Sequence, residues 1–317
     1  MLTKTDLPVR AEPVRLRRDM TLEDAYRRIA LNCLRQIRAN QAGAQHKSVE
    51  SLHQMRVGLR RLRAALDLFD DLVALPEPMR AGLDALAQQL GTTRDWDVLA
   101  TSTLAGFDGA AGQIASLQAA AQERSRSSHA TLATALEDAA PMQVLTDVED
   151  WFEQRRWREQ PDFDAGALQQ KAARAAVPLL AHAQRRLRKR AKGLGHSKVA
   201  TIEGAAPDNP AHDRHRVRIA AKKARYAAEF FQSILPGRET RRYIACLSGL
   251  QDRLGELNDL AVAEGLLAQL AEHPGRNGVS REQIMFARGF AAARSAAGVA
   301  ALRKPLKALV KVRPVRK

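Results

Sequence analysis

Two stretches of this chain place cations where they could grip a dense anion. The first is His53-Gln54-Met55-Arg56-Val57-Gly58-Leu59-Arg60-Arg61-Leu62-Arg63. The second is His215-Arg216-Val217-Arg218-Ile219-Ala220-Ala221-Lys222-Lys223-Ala224-Arg225. They begin about 162 residues apart and share the pattern His-x-x-Arg-(Val/Ile)-x-x-(basic)-(basic)-x-Arg. The chemistry such groups can do is charge-assisted hydrogen bonding to phosphate or carboxylate oxygens.

Helical spacing decides which of these side chains share a face. At about 100° per residue, His53, Arg56, Arg60 and Arg63 fall within roughly 80° of one another. Leu52, Met55, Leu59, Leu62, Leu66 and Phe69 fill the neighbouring arc. One edge of the predicted helix is therefore core, and the next is a ladder of cations. His215, Arg218, Lys222 and Arg225 repeat the ladder beside an apolar edge of Val217, Ala221, Ala224, Ala228 and Phe231. The small residues on that edge allow a partner helix to come close. Arg61 and Lys223 lie about 80° from the histidines on the other side. They are predicted to reach a flank of the site or a neighbouring helix. Like charges at i,i+3 and i,i+4 cost an isolated helix a few tenths of a kcal/mol per pair. A merely solvated basic face has no need to repeat that cost at matching positions.

A second pair of stretches supports true duplication. Leu90-Gly91-Thr92-Thr93-Arg94-Asp95-Trp96-Asp97-Val98 matches Leu254-Gly255-Glu256-Leu257-Asn258-Asp259-Leu260-Ala261-Val262 at nearly the same separation. The pattern reads as a helix interrupted at glycine and recapped by aspartate. Asp95 and Asp259 are read as caps or as clamps for nearby cations, with a metal role the lesser alternative because no ligand cluster surrounds them. The histidines keep three readings: a structural ring anchored by a hydrogen bond, a direct phosphate contact that strengthens on protonation, and a metal ligand. The close pair His212 and His215 has no counterpart to His212 in the first copy, which weakens a shared metal site.

The elements that position these residues are helical. Strand signals are scarce, and alanine, leucine, arginine and glutamine dominate. The pattern predicts helices over 21–41, 49–75, 77–106 with a break near Gly91, 113–139 and 141–159. After Pro161 it predicts 167–192 bent or restarted at Pro178, then 211–235, 239–272 and 280–299. The domain organisation expected is a loose leader at 1–20, one repeat at 21–160, a second at 161–302 and a fraying basic tail at 303–317. Hydrophobic residues make up 45% of the chain and aromatics 4%, so the cores are aliphatic. Cys33 and Cys246 read as reduced thiols. No secretory signal or membrane span is legible, which places the protein in the cytoplasm.

The net charge of +16 is uneven. Residues 1–163 hold 21 basic and 23 acidic side chains, and residues 164–317 hold 30 and 12. The second half therefore dominates long-range attraction of an anion. Arginine outnumbers lysine 39 to 12, which suits planar recognition of phosphate oxygens. Arg28 and Arg35 on the first helix, and Arg185, Arg186 and Lys189 on the helix before the second ladder, could flank the same cleft. Tyr226 could donate its hydroxyl to a phosphate oxygen.

The paired ladders, together with the Leu-Gly-x-x-x-Asp-x-x-Val stretches after them, closely resemble the conserved histidine α-helical domain, or CHAD, family over about residues 20–300. Leu52-His53-Gln54-Met55-Arg56-Val57 through Arg63 is similar to its first motif, and Lys222-Lys223-Ala224-Arg225-Tyr226-Ala227-Ala228-Glu229-Phe230 to its second, with Ala224 where a leucine is expected. The resemblance implies an all-α fold of two pseudo-two-fold-related helical bundles with a basic cleft or pore between them. It implies binding of inorganic polyphosphate and association with polyphosphate granules, where partner proteins could gather. Some family members are fused to a triphosphate-tunnel catalytic domain. The Glu-x-Glu-x-Lys pattern of that domain is absent here, and the leader before Thr21 resembles the linker that follows it.

The alternative class is a general polyanion or nucleic-acid binder contacting phosphate backbones, which the basic composition allows. Aromatic stacking platforms are few, and only Tyr226 follows a ladder, so nucleic-acid binding is expected to be weak. Catalysis is not expected. The chain has no Gly-Lys dipeptide for a phosphate-binding loop, no His-Glu-x-x-His and no Gly-x-Ser-x-Gly. No cofactor and no metal site is expected.

Overall fold

The computed structural model describes residues 7–107, 111–161, 163–196, 210–272 and 278–313. Within them the chain is all-α, and the one β pairing is an isolated bridge between Thr21 and Lys171. Helices run as α1 (Leu22–Ala39), α2 (Gln41–Gln45), α3 (Val49–Phe69), α4 (Glu77–Val98), α5 (Ala115–Glu137) and α6 (Ala139–Glu153). They continue as α7 (Ala165–Gln169), α8 (Ala172–His196), α9 (Pro210–Phe231), α10 (Gly237–Ala271), α11 (Arg281–Ala301) and α12 (Arg303–Lys311). The ladder helices are α3 and α9.

Local signals start several of these helices. Thr21 Oγ1 accepts from the Asp24 amide and caps α1, and Ser48 does the same for α3 through Ser51. Ser280 and Gln283 form a reciprocal capping box on α11. The starts of α1 and α8 are tied side by side, since the Leu22 amide donates to Gln170 and the Ala172 amide to Met20.

Two apolar cores fill the molecule, and both draw on both halves of the chain. The larger gathers Tyr26, Leu52, Leu62, Phe69, Trp157, Phe230, Phe231 and Leu250. Tyr26 stacks on Phe69 with ring centroids 4.2 Å apart. The smaller sets Trp96, Leu99 and Leu117 against Ala263, Leu266, Leu267 and Ile284. Helices α4 and α10 pass through both. Leu83, Leu86 and Leu90 of α4 lie in the first core and Trp96 in the second. On α10, Leu247 to Leu257 serve the first and Ala263 to Leu267 the second. Between the cores lies a waist, and Asp95 and Asp259 sit at it.

Glu23 fixes the end of the first half to α1. Its buried carboxylate accepts from Arg155, Trp157 and Arg158 at 2.6 to 2.9 Å. Those hydrogen bonds, Arg158's first, hold its pKa below the usual carboxylate range. Arg155 takes a left-handed backbone conformation (φ 53°) to bring its guanidinium onto Glu23 and Asp24.

Four sequence expectations are corrected. Helix α4 does not break at Gly91, nor α10 at Gly255. A glycine costs a helix only about 1 kcal/mol, and the burial of Leu90, Trp96, Leu254 and Leu257 outweighs it. Helix α8 likewise does not restart at Pro178 but continues through it. The described part of the leader is not loose. Val14 and Leu16, two positions apart, are buried, and the Leu16 amide donates to Ser233 Oγ at 2.9 Å. Asn40 pairs with both backbone groups of Val9. The C-terminal segment does not fray through residue 311. It forms α12, buries Leu309, and offers the Val312 carbonyl to Gln184 Nε2 at 2.6 Å. The loop expected over 193–210 falls largely outside the described residues.

The docking of α12 is testable. Leu309 is wholly buried, so Leu309→Ala should cost about 2–4 kcal/mol. Urea unfolding followed by circular dichroism reads it. A midpoint like that of the parent protein would mean that α12 does not seal the core.

Candidate functional site

Helices α3 and α9 pack against each other, and α4 and α10 run beneath them. This crossing brings Arg56, Arg60, Arg218 and Lys222 together. They line a cavity of about 380 Å³, open to solvent at its rim, with Arg63, Lys223 and Tyr226 also in its wall. Seven of the residues predicted from the two ladders thus share one space.

The four inner cations are half-buried, and their compensation is thin. Asp95 from α4 attracts Arg56, and Asp259 from α10 attracts Arg218 and Lys222. Two carboxylates therefore face four cations. Burial, then repulsion from Arg60 and Arg218, pushes the Lys222 ammonium down to about 6. Burial does the same to Arg56, down to about 10, and lowers Arg218. Burial raises Asp95 in spite of the attraction of Arg56. Nε of Arg60 and Nε of Arg218 are buried with no hydrogen-bond partner. Unsatisfied buried donors of this kind cost roughly 1–3 kcal/mol each.

At the rim every cation already holds a carboxylate. Arg63 pairs with Asp84 at 2.9 Å, Lys223 with Asp67 at 2.6 Å, and Arg80 with Asp70 at 2.5 Å. Arg80 was not anticipated from sequence. Its α4 carries no repeated motif at that position, so nothing in the pattern marks it.

The histidines differ. His53 is half-buried, and burial, then the charge of Arg94, lowers its pKa. His215 is exposed, and its Nδ1 lies 3.2 Å from Asn258 Oδ1. The same oxygen accepts from Arg218 Nη1 at 3.1 Å. Asn258 thus orients one ladder, while the matching position of the first copy, Arg94, adds a further cation.

Other predicted residues lie elsewhere. Arg61 is buried, donates to Asn32 and Gln36 of α1 at 2.8 Å, and lies over the Phe230 ring. It joins helices. Arg225 turns to α10 and to its own helix, donating to Gln251 and Glu229. Arg225 was expected on the ladder face, whereas Arg61 takes the neighbouring-helix alternative expected for it. A helical wheel gives the direction of Cβ but not which neighbour the long side chain meets. Arg28 is exposed and donates to the Arg15 carbonyl, Arg35 is exposed on α1, and neither lines the cavity. Arg185, Arg186 and Lys189 border a separate groove between α8 and α9.

Of the two readings of Asp95 and Asp259, the geometry favours clamps over caps, since both lie inside continuous helices. Gly91 gains a reason as well. A Cβ there would come within 2.9 Å of Arg56 Nη1. The bare backbone of α4 is the surface on which that guanidinium rests. Gly91→Ala should leave the fold intact, gaining up to about 1 kcal/mol of helix stability, while displacing the Arg56 guanidinium. Titration with a polyanion should show weakened binding by a more stable protein. Undiminished affinity would mean that the Arg56 position is immaterial.

Comparison with known proteins agrees with this architecture. The family model for the CHAD domain matches residues 28–268. The crystal structure of the CHAD domain from the plant Ricinus communis is similar at 33% sequence identity and a TM-score of 0.81, covering 95% of this chain and 97% of that one. PptA from Streptomyces chartreusis is similar in fold, with 18% identity and a TM-score of 0.64, covering 92% of this chain and 100% of that one. No curated protein matches. With its paired ladder helices and a family match over most of its length, the chain belongs to the CHAD domain family.

Proposed function

We propose that the protein binds inorganic polyphosphate in the cleft between α3 and α9, without hydrolysing it, and through it associates with polyphosphate granules in the cytoplasm. The observation that carries this reading is the excess of inner cations. Asp95 and Asp259 offset Arg56, Arg218 and Lys222, while the two carboxylates in the cavity wall, Asp67 and Asp84, are taken up by Lys223 and Arg63. A bound chain of phosphates supplies the missing negative charge and accepts from the two orphaned guanidinium donors. Polyphosphate presents no base to read, and the cleft offers Tyr226 alone as an aromatic wall. Family membership points the same way, as the resemblance of the ladders implies. The rim pairs Arg63–Asp84 and Lys223–Asp67 supply cations that can exchange carboxylate for phosphate at the mouth. Among the described residues no group of three or more His, Cys, Asp or Glu could hold a metal ion. No helix among them is long and apolar enough to cross a membrane.

Lys222 makes the binding pH-dependent, and the sign follows from its depressed pKa. Above about pH 6 the free amine is neutral. Phosphate favours the ammonium form, so binding takes up a proton and strengthens as pH falls toward 6. Calorimetry in buffers of different ionisation enthalpy should show up to one proton taken up near neutral pH. Lys222→Met should abolish the uptake, weaken binding and raise stability, because a desolvated amine is replaced by an apolar side chain of similar length. Identical heats in all buffers would contradict the role given to Lys222.

Arg56→Glu combined with Arg218→Glu should abolish tight polyphosphate binding while leaving helicity intact. The parent protein should lose affinity steeply with salt, by analogy with counterion release from DNA phosphates. Titration with long-chain polyphosphate, against DNA at matched phosphate concentration, reads both. Unchanged affinity in the folded double variant would remove the cleft as the site. Equal affinity for DNA would make it a general polyanion surface.

A further inference from the structure

A second cavity lies beyond the Lys223–Asp67 pair. It measures about 580 Å³ and is bordered by the C-terminal end of α3, by α8 and by the outer face of α9. Pockets of this size hold small organic ligands. Its walls are of opposite sign. One carries Arg185, Arg186 and Arg190 from α8 with Arg216 from α9. The other carries Asp67, Asp70 and Asp71 from the end of α3. Between them the floor is apolar, formed by Leu68, Leu179, Ala183 and Ile219. Ile219 remains 40% exposed there.

We infer that this groove binds a nucleoside phosphate, with the phosphates on the α8 arginines and Arg216, the planar base on the apolar floor, and its sugar hydroxyls or amino group toward Asp71. The cationic wall asks for an anion, because among the described residues Arg185, Arg186 and Arg190 hold no carboxylate and Arg216 reaches Asp213 only at 3.9 Å. The acidic wall argues against a long uniform polyanion, because Asp67 and Asp70 are engaged by Lys223 and Arg80 and the Asp71 carboxylate would face such a chain. Lys223 and Asp67, 2.6 Å apart, border both cavities and separate them. The apolar floor has no use for a bare pyrophosphate and suits a ring. A ligand anionic at one end, apolar in the middle and rich in hydrogen-bond donors at the other matches all three surfaces. The groove goes beyond the cleft reading and stands without it.

The test is calorimetric titration of the full chain with adenosine diphosphate, with pyrophosphate as the control and long-chain polyphosphate as the reference ligand. One molecule of adenosine diphosphate should bind per chain, more tightly than pyrophosphate. Arg186→Glu with Arg216→Glu should weaken it by at least about tenfold, or about 1.4 kcal/mol. Asp71→Lys should erase the preference over pyrophosphate. Arg56→Glu with Arg218→Glu should leave it unchanged, since those residues line the other cavity. Three results would overturn the inference. One is no binding of adenosine diphosphate by a protein that binds polyphosphate. Another is equal affinity for pyrophosphate and adenosine diphosphate. The third is loss of nucleotide binding in the Arg56/Arg218 variant but not in the Arg186/Arg216 variant. If polyphosphate fails to bind while the nucleotide behaves as stated, the cleft reading falls and the groove stands.

Discussion

Four cations held close together and half-buried are the constraint around which this fold is arranged. Arg56 and Arg60 come from one helix, Arg218 and Lys222 from another, and their mutual repulsion opposes the crossing that unites them. The fold answers in two ways. It sets Asp95 and Asp259 beneath the crossing, on helices whose ends are anchored in separate apolar cores. It also lets Lys222 lose its proton rather than add to the repulsion. In the proposed polyphosphate site, what remains uncompensated is the source of affinity for the anion. Stability and binding therefore oppose each other at this site.

The helical class, the duplicated ladders and the cluster of Arg56, Arg60, Arg218 and Lys222 were legible in the sequence because each rests on a strict spacing. Apolar and basic residues at three- and four-residue intervals leave little choice of period or face. The reach of long side chains was not legible. Arg61 and Arg225 belong to the same motifs, yet one meets Gln36 and the other Gln251, since their neighbours are set by helices distant in sequence. Gly91 looked like a break because glycine usually marks one. Its actual reason, room for Arg56, exists only once α3 lies on α4. The docking of α12 was hidden by its composition, in which basic residues surround Leu306 and Leu309, the two leucines that pack on the core.

The two copies are not equivalent as chemistry. Arg94 in the first stands where Asn258 stands in the second. His53 is half-buried beside Arg94, while His215 is exposed and shares the Asn258 amide oxygen with Arg218. At the far end of the ladders, Arg63 faces the cavity and Asp84, whereas Arg225 faces Gln251 and Glu229. The cleft is therefore polar along its length, with its richer set of cations on the first-copy side. The whole-chain imbalance runs the opposite way, toward the second half.

The sharing of both cores between the halves bears on how the chain reaches its native state. Trp96, Leu99 and Leu117 find their partners in Leu266, Leu267 and Ile284, and Phe69 meets Phe231. Each of these contacts closes a loop of well over a hundred residues, and such non-local closure slows folding. During synthesis the first half emerges with these apolar faces uncovered and no means of sealing them until α9, α10 and α11 follow. The nascent chain must be kept from self-association over that interval, a burden that two independently folding repeats would not carry.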